Sequence, residues 1–351
     1  MDMGTGKAMV AMSGGVDSSV AAFLALKAGF SCLGATMLLA DSSPEAAQDA
    51  EAVAERLNMA HQVLDHTHFF REQVMEPFIA CYEEGLTPNP CIVCNRCIKF
   101  GTLLQAALDQ GCSHLVTGHY ARIRRDETTG RYLLYKAADE AKDQSYFLSC
   151  LAQDQLAHTF LPLGALTKAQ VRQIAQDQGF LNARKRDSQD ICFIPDGDYL
   201  AFMERYTGKT YPSGDFLDLE GKIIGQHKGA VGYTLGQRKG LGLAMGAPVY
   251  VCCKDMLQNT VTVGPEEALF ADTLIAGNWQ WFPFPALTAP IRATAKARYR
   301  HAPQPVTVYP EADGRAKVVF DTPQRALTPG QTVALYQDDL VIGGGIIETV
   351  L

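Results

Sequence analysis

Two groups of residues in this chain have types and spacings suited to chemistry: a serine- and glycine-rich turn near the amino terminus, and a scattered set of cysteines. The turn is Ser13-Gly14-Gly15-Val16-Asp17-Ser18-Ser19. It follows the apolar run 8–12 and opens a helical-looking segment, 18–28, that stops at Gly29. Glycines without Cβ atoms let the backbone turn sharply and press its N–H groups against an anion, and the helix N-terminus behind them adds a favourable dipole. A phosphate suits such a place. Ser13, Ser18 and Ser19 can donate hydroxyl hydrogen bonds, and the Asp17 carboxylate is of the kind that holds magnesium. No lysine follows the glycines and their spacing is not G-x-G-x-x-G, so neither of those nucleotide loops is present.

The cysteines begin with Thr87-Pro88-Asn89-Pro90-Cys91-Ile92-Val93-Cys94-Asn95-Arg96-Cys97-Ile98-Lys99-Phe100. Two prolines hold a rigid loop, and Asn95 is placed to cap a helix running to Gln110. Cys94 then precedes a helix N-terminus, whose positive end favours a thiolate, while Cys97 packs inside the helix. Cys91 and Cys94 have the spacing of a redox pair. With Cys97 they can also supply three ligands to zinc or to an iron–sulfur cluster, a fourth coming from elsewhere. Structural, metal-binding and nucleophilic roles all stay open. Cys32, Cys81, Cys112 and Cys150 stand at apolar or element-interior positions, as inert buried thiols do. Cys192 sits in Asp187-Ser188-Gln189-Asp190-Ile191-Cys192-Phe193-Ile194-Pro195, flanked by apolar residues.

The elements that must position these groups alternate along the first 200 or so residues. Strands over 31–38, 61–65 and 114–118 are separated by helices over 44–57 and 67–84, the second kinked or broken at Pro77. Such alternation predicts an α/β domain with a mostly parallel sheet and right-handed crossovers, its ligand at the carboxyl ends of the strands. Thr117-Gly118-His119-Tyr120 ends the fourth strand on that side. A hairpin over 122–135, the polar stretch Lys142-Asp143-Gln144-Ser145-Tyr146, and a helix with a Thr167–Gln170 capping box ended by Gly179 follow. After a last helix at 199–206 the composition turns glycine- and valine-rich. We expect a catalytic domain at 1–206, a β-rich domain at 207–270 and a small barrel at 271–351, with strands over 291–299, 305–309, 316–320, 332–336 and 341–348.

A length of 351 residues fits two or three domains, and 47% apolar content is ordinary for packed protein. The first dozen residues read as no secretory signal, and no apolar segment approaches a membrane span, so we expect a cytoplasmic protein without a membrane partner. Ten cysteines there argue for catalysis, metal or burial rather than a disulfide scaffold. The net charge of −7 opposes a polyanionic partner globally, but basic clusters occur at Arg122, Arg124 and Arg125, at Arg184, Lys185 and Arg186, and at Lys296, Arg298, Arg300 and His301.

The Ser-Gly-Gly-x-Asp-Ser turn after a strand resembles the loop of the N-type ATP pyrophosphatases, an adenine nucleotide alpha hydrolase-like fold. These enzymes split ATP between its α and β phosphates and adenylate a substrate oxygen. Six motifs taken together, in order over nearly the whole chain, resemble the MnmA/TrmU family of tRNA-specific 2-thiouridylases. They are the Ser13 loop, Thr87-Pro88-Asn89-Pro90 with Cys94-Asn95 and Ile98-Lys99-Phe100, Thr117-Gly118-His119-Tyr120, Lys142-Asp143-Gln144-Ser145, Asp190-Ile191-Cys192-Phe193-Ile194, and Gly232-Tyr233-Thr234-Leu235-Gly236-Gln237-Arg238-Lys239-Gly240-Leu241-Gly242.

The resemblance implies that the wobble uridine of tRNAs for lysine, glutamate and glutamine exchanges its 2-oxygen for sulfur, with AMP and pyrophosphate released. It places ATP, with Mg2+ at Asp17, against Ala11, Met12, Ser13, Gly14, Gly15, Val16, Asp17, Ser18, Met37 and Gly118. It makes Cys94 the nucleophile and Cys192 the persulfide carrier, and turnover leaves a Cys94–Cys192 disulfide. Asn89, Pro90 and Cys91 face the target base, and His119, Lys142, Asp143, Gln144, Arg298, Tyr299 and Gln331 contact tRNA. The implied partners are a sulfur donor, either a cysteine desulfurase or a relay protein, and a reductant. Where the family often has aspartate after Asn-Pro, this chain has Cys91. That substitution makes Cys91, Cys94 and Cys192 candidate ligands of an iron–sulfur cluster with one iron open to sulfide. The rival readings are another ATP pyrophosphatase, or a tRNA-binding or metal-sensing module without catalysis.

Overall fold

Ala8, Met9 and Val10 are fully buried in β1 (Lys7–Ala11), as an apolar run must be when helices cover both faces of a sheet. The computed structural model describes residues 6–40, 44–183, 185 and 191–351. β2 (Ser31–Leu38) and β3 (Ala60–Asp65) extend the sheet on one side of β1, and β4 (His114–Val116) pairs with its other side. β5 (Arg122–Arg125) and β6 (Tyr132–Tyr135) leave as a hairpin, and β7 (Thr159–Phe160) completes the parallel order β3-β2-β1-β4-β7. The direction of chain crossover reverses between β1 and β4. A crevice therefore opens at their carboxyl ends, where residues 13–17 and 117–119 lie.

Two helices depart from the sequence-based expectation. Residues 67–83 form one helix with no break at Pro77: an α turn at Thr67–Phe70, a π stretch at Arg71–Met75, then α-helix at Glu76–Glu83. The π stretch resets the hydrogen-bond register, so Pro77 falls in a first turn, where its missing N–H is no loss. The second helix starts at Pro90, not after Asn95. It runs through Pro90–Val93, a π stretch at Cys94–Leu103 and Leu104–Asp109. At 20 residues and a mean hydropathy of 1.2 it has the length and composition of a membrane span, contrary to expectation. Ile92, Ile98, Phe100 and Leu103 nonetheless bury one side of it in the protein core.

The middle sheet comprises β8 (Gly214–Leu217), β9 (Ile223–His227), β10 (Tyr250–Asp255) and β11 (Thr260–Gly264), in the order β10-β11-β8-β9. β12 (Phe270–Trp281), β13 (Ile291–Lys296), β14 (Gln304–Pro310), β15 (Ala316–Arg325), β16 (Thr332–Gln337) and β17 (Leu340–Val350) close into a barrel through β12–β17 pairing. Strand alternation places Val306, Val308, Val318 and Leu335 in its interior.

The β5–β6 hairpin does not stay with the parallel sheet. Leu340 pairs with Tyr135, adding the hairpin to the barrel sheet, and Arg122 reaches Asp339 at 2.8 Å. Further ties join the barrel to the loop ahead of Pro90. The Thr87 N–H donates to the Pro329 carbonyl at 3.0 Å, and Gln331 Nε2 donates to the Thr87 carbonyl at 2.8 Å.

Candidate active site

The Ser13 loop turns through Gly14, whose φ of +68° is left-handed; a Cβ there would overlap the Ala46 carbonyl oxygen. Gly15 caps the helix Val16–Lys27 with no side-chain hydrogen bond, which leaves first-turn N–H groups available to an anion. Ser18 and Ser19 hydroxyls both donate to the Gly15 carbonyl, at 2.9 and 3.0 Å, and Ser18 Oγ accepts from the Ser13 N–H at 3.2 Å. Asn182, silent in the sequence reading, braces the loop from behind: its Nδ2 donates to the Gly14 carbonyl at 3.0 Å and to Ser19 Oγ at 2.9 Å.

A cavity of about 200 Å³ opens in front of this loop. Of the ten residues expected at ATP, it is lined by Ala11, Met12, Ser13, Asp17, Ser18 and Met37 from one flank and Gly118 from the other. Gly118 must be glycine, since a Cβ would come within 2.8 Å of the Ser18 nitrogen. Gly14, Gly15 and Val16 form the turn itself, and Val16 is buried in the core. Ala35, Lys99, Thr117, His119 and Gln144 complete the wall.

The expected magnesium ligand is otherwise engaged. Lys168 Nζ donates to both Asp17 carboxylate oxygens at 2.7 and 2.8 Å, and the Tyr120 hydroxyl donates to one of them at 2.7 Å. A carboxylate closed by an ammonium does not fit a metal in this arrangement. Sequence offered no sign of this clamp, because Lys168 lies 151 positions away.

The thiol side also corrects an expectation. Cys94 lies inside the long helix, so no helix N-terminus stabilises its thiolate. Its surface is 8% exposed, and burial pushes its pKa up to about 11. Cys91 and Cys192 present surface to solvent, yet crowding by neighbouring atoms raises both their pKa values as well. Cys192 occupies a turn pinned by apolar neighbours. Phe193 packs its ring on Phe70, Phe78 and Phe202 at 5.6, 5.4 and 5.2 Å, and Ile194 is buried. That apolar cluster is the one that buries Cys94 and Ile98. Cys94, Cys91 and Cys192 are close enough to perturb one another electrostatically. Among the described residues, however, no three His, Cys, Asp or Glu side chains converge as a metal site, so the thiols do not fit a cluster as arranged. Asp190 and the adjoining residues 186–189 lie outside the described residues.

The residues expected at tRNA are dispersed in role. His119 is buried against Phe100, accepts or donates with Thr117 at 2.8 Å, and is held well below its ordinary pKa first by burial and second by Lys99. Gln144 accepts from the Tyr120 N–H, while Asp143 accepts from Ser145 Oγ and the Ala137 N–H. Arg298 donates to the Leu235 and Ala326 carbonyls and to Thr328 Oγ1, tying the middle sheet to the barrel. Tyr299 stands at 4.4 Å from Phe147 with Lys296 over its face, an aromatic and cationic platform. Of the basic clusters, Lys185 pairs with Asp49, and Arg184 and Arg186 lie outside the described residues.

Comparison with known proteins gives one consistent answer. Residues 6–196 match the tRNA methyl transferase HUP domain model, 200–265 the tRNA methyl transferase PRC-barrel domain and 271–347 the aminomethyltransferase beta-barrel domain. The tRNA-specific 2-thiouridylase MnmA of Moorella thermoacetica is 47% identical, with 97% of this chain and 99% of that protein covered. Those of Heliobacterium modesticaldum and Clostridioides difficile are 46% and 44% identical, each over 97% of this chain and over 91% and 98% of their own lengths. The chain belongs to the MnmA family. Family membership and the observed geometry agree on the architecture: a parallel-sheet domain, a middle barrel-like domain and a closed C-terminal barrel.

Proposed function

We propose that this chain is a tRNA-uridine 2-sulfurtransferase that uses ATP to replace the C2 oxygen of the wobble uridine in tRNAs for lysine, glutamate and glutamine with sulfur. The observation that carries the reading is the seating of the Cys94 helix and the Cys192 turn on one apolar cluster beside a phosphate-type cavity.

The chemistry follows from the residues. A uracil oxygen leaves poorly, so it is first adenylated. Loop N–H groups at residues 14–17 and the Ser13 hydroxyl stabilise negative charge developing on the departing pyrophosphate. The uridine must leave its stack to reach this site, and Asn89, Pro90 and Cys91, at the start of the long helix, border its path. Cys192, exposed on its turn, accepts a sulfane sulfur from a cysteine desulfurase or relay protein. The Cys94 thiolate then attacks Cys192 Sγ, forming the Cys94–Cys192 disulfide and breaking the persulfide S–S bond. The released hydrosulfide adds at C2 and expels AMP, and an external dithiol returns the disulfide to two thiols. Tyr299, Lys142 and Lys296 offer the tRNA a stacking and cationic surface, while Arg298 and Gln331 support it by fixing loops.

Entry of labelled sulfur into unmodified tRNA, with and without ATP, tests this reading. Wild-type protein supplied with a persulfide donor should label tRNA only with ATP, and Cys94→Ser and Cys192→Ser should each fall to background while keeping ATP and tRNA binding. Sulfur transfer surviving in either variant would overturn the assignment.

A further inference from the structure

Lys99 has no role in the chemistry above, yet it stands where the two halves of the site meet. It lines the nucleotide cavity with Ser13, Asp17 and His119. It also belongs to the π stretch that begins at Cys94. In an α-helix, residues five apart point about 140° away from each other around the axis. A π turn bonds residue i to i+5 and, at about 4.4 residues per turn, leaves them only about 50° apart around the axis. The π geometry thus brings Lys99 onto the face of the helix that carries Cys94.

We propose that Lys99 is a positioning residue for sulfur transfer: its ammonium, one π turn from Cys94 and at the wall of the nucleotide cavity, opposes burial and eases ionisation of the Cys94 sulfur when the activated uridine is in place. The proton leaves Cys94 for solvent, and the electron pair remains on Sγ for attack on the Cys192 persulfide. This rests on the sulfurtransferase reading and adds the group that makes its nucleophile usable.

Three features support it. The helix dipole is unavailable to a thiol in the interior of the helix, so a nearby cation is a direct means of easing ionisation of Cys94. Lys99 is the cation that acts on Cys94, Cys91 and Cys192 alike, opposing the effect of burial on each. Burial first and the Lys99 charge second hold the His119 imidazole neutral, which leaves Lys99 the positive group among the described residues that line this wall. Without the π stretch, a lysine at this position would point toward other neighbours.

The test follows alkylation of Cys94 against pH in the full-length protein, by peptide mass spectrometry with a small haloacetamide and no ATP. Lys99→Gln should move the profile upward by about one pH unit, a roughly tenfold slower reaction near pH 8. Lys99→Arg, which keeps the charge, should restore most of it. In parallel, Lys99→Gln should lower thiolation by more than it lowers ATP- and tRNA-dependent pyrophosphate release, because adenylation precedes the thiol step. An unchanged alkylation profile in a folded Lys99→Gln protein would overturn the proposal. So would loss of pyrophosphate release matching the loss of thiolation, which would place Lys99 on the phosphates instead. The alkylation readout needs no sulfur transfer, so failure of the sulfurtransferase reading would show separately as wild-type protein that does not label tRNA.

Discussion

The phosphate loop and the thiol pair are built from different materials. Around Ser13 to Ser19 polar groups hold one another: serine hydroxyls on the Gly15 carbonyl, Asn182 on the Gly14 carbonyl, Lys168 and Tyr120 on Asp17. Around Cys94 and Cys192 the supports are apolar, with Phe70, Phe78, Ile98, Phe193, Ile194 and Phe202 packed together. The first kind of support fixes dipoles before the substrate arrives, which is what stabilising a leaving pyrophosphate requires. The second keeps thiols neutral and unreactive until something changes around them, which suits a sulfur carrier that must not react with the wrong partner. Damage to the first region should therefore register as lost stability, and damage to the second as lost chemistry.

The largest stability effect should come from Asp17→Asn. Lys168, 12% exposed at its side chain, would lose its carboxylate partner, at a cost of about 2–4 kcal/mol. Lys168→Met alone should cost a similar amount, and the double variant much less than the sum. Urea unfolding checks this, and strict additivity would show that the pair is not coupled. Cys94→Ala makes the opposite case: about 1 kcal/mol in the same experiment, with thiolation abolished.

Next in size is Gly14→Ala. Left-handed backbone at φ +68° costs an alanine about 1–2 kcal/mol, and collision with the Ala46 carbonyl adds to it and displaces the loop. Gly208 supplies the control. Its φ is +69°, but nothing lies within 4 Å of where its Cβ would be. Gly208→Ala should show the backbone strain alone and leave ATP affinity untouched, whereas Gly14→Ala should weaken both. Equal losses in the two variants would mean that the Ala46 contact carries no weight.

The same contrast explains what was legible in the sequence. Glycines, serines and strand-helix alternation located the phosphate loop because backbone geometry writes itself into local residue types. β2 matches the expected 31–38 strand, and the Thr167–Gln170 capping box is present. Lys168 and Asn182 were hidden because their roles depend on chain segments more than 150 positions away. At the thiols, Asn95 is a good capping residue locally, but Pro90 starts the helix first. That six-residue difference removed the helix dipole from Cys94, and the π stretch brought Lys99 to its side of the helix. No residue pattern marks a π stretch. The hairpin over 122–135 was visible as a hairpin, while its docking on β17 was not, since edge pairing depends on the barrel being closed elsewhere.

The smallest effect concerns His119, which belongs to both regions: it lines the nucleotide cavity and packs on Phe100 of the thiol-bearing helix. Burial holds its pKa well below the ordinary 6.5, with the Lys99 charge a secondary cause. In the folded protein the imidazole is therefore neutral at neutral pH and resists protonation on acidification. The unfolded chain takes up that proton once pH falls below about 6.5, so between there and the folded value the unfolded state binds more protons and stability declines with acidity. His119→Asn removes this contribution while keeping a group able to hydrogen-bond Thr117. The stability difference between about pH 7.5 and about pH 5.5 should then shrink by roughly 1 kcal/mol, measured by urea titration at each pH. If the pH dependence stays as steep, acid is reaching the imidazole in the folded state, and the wall between nucleotide and thiols is more open to water than its packing implies.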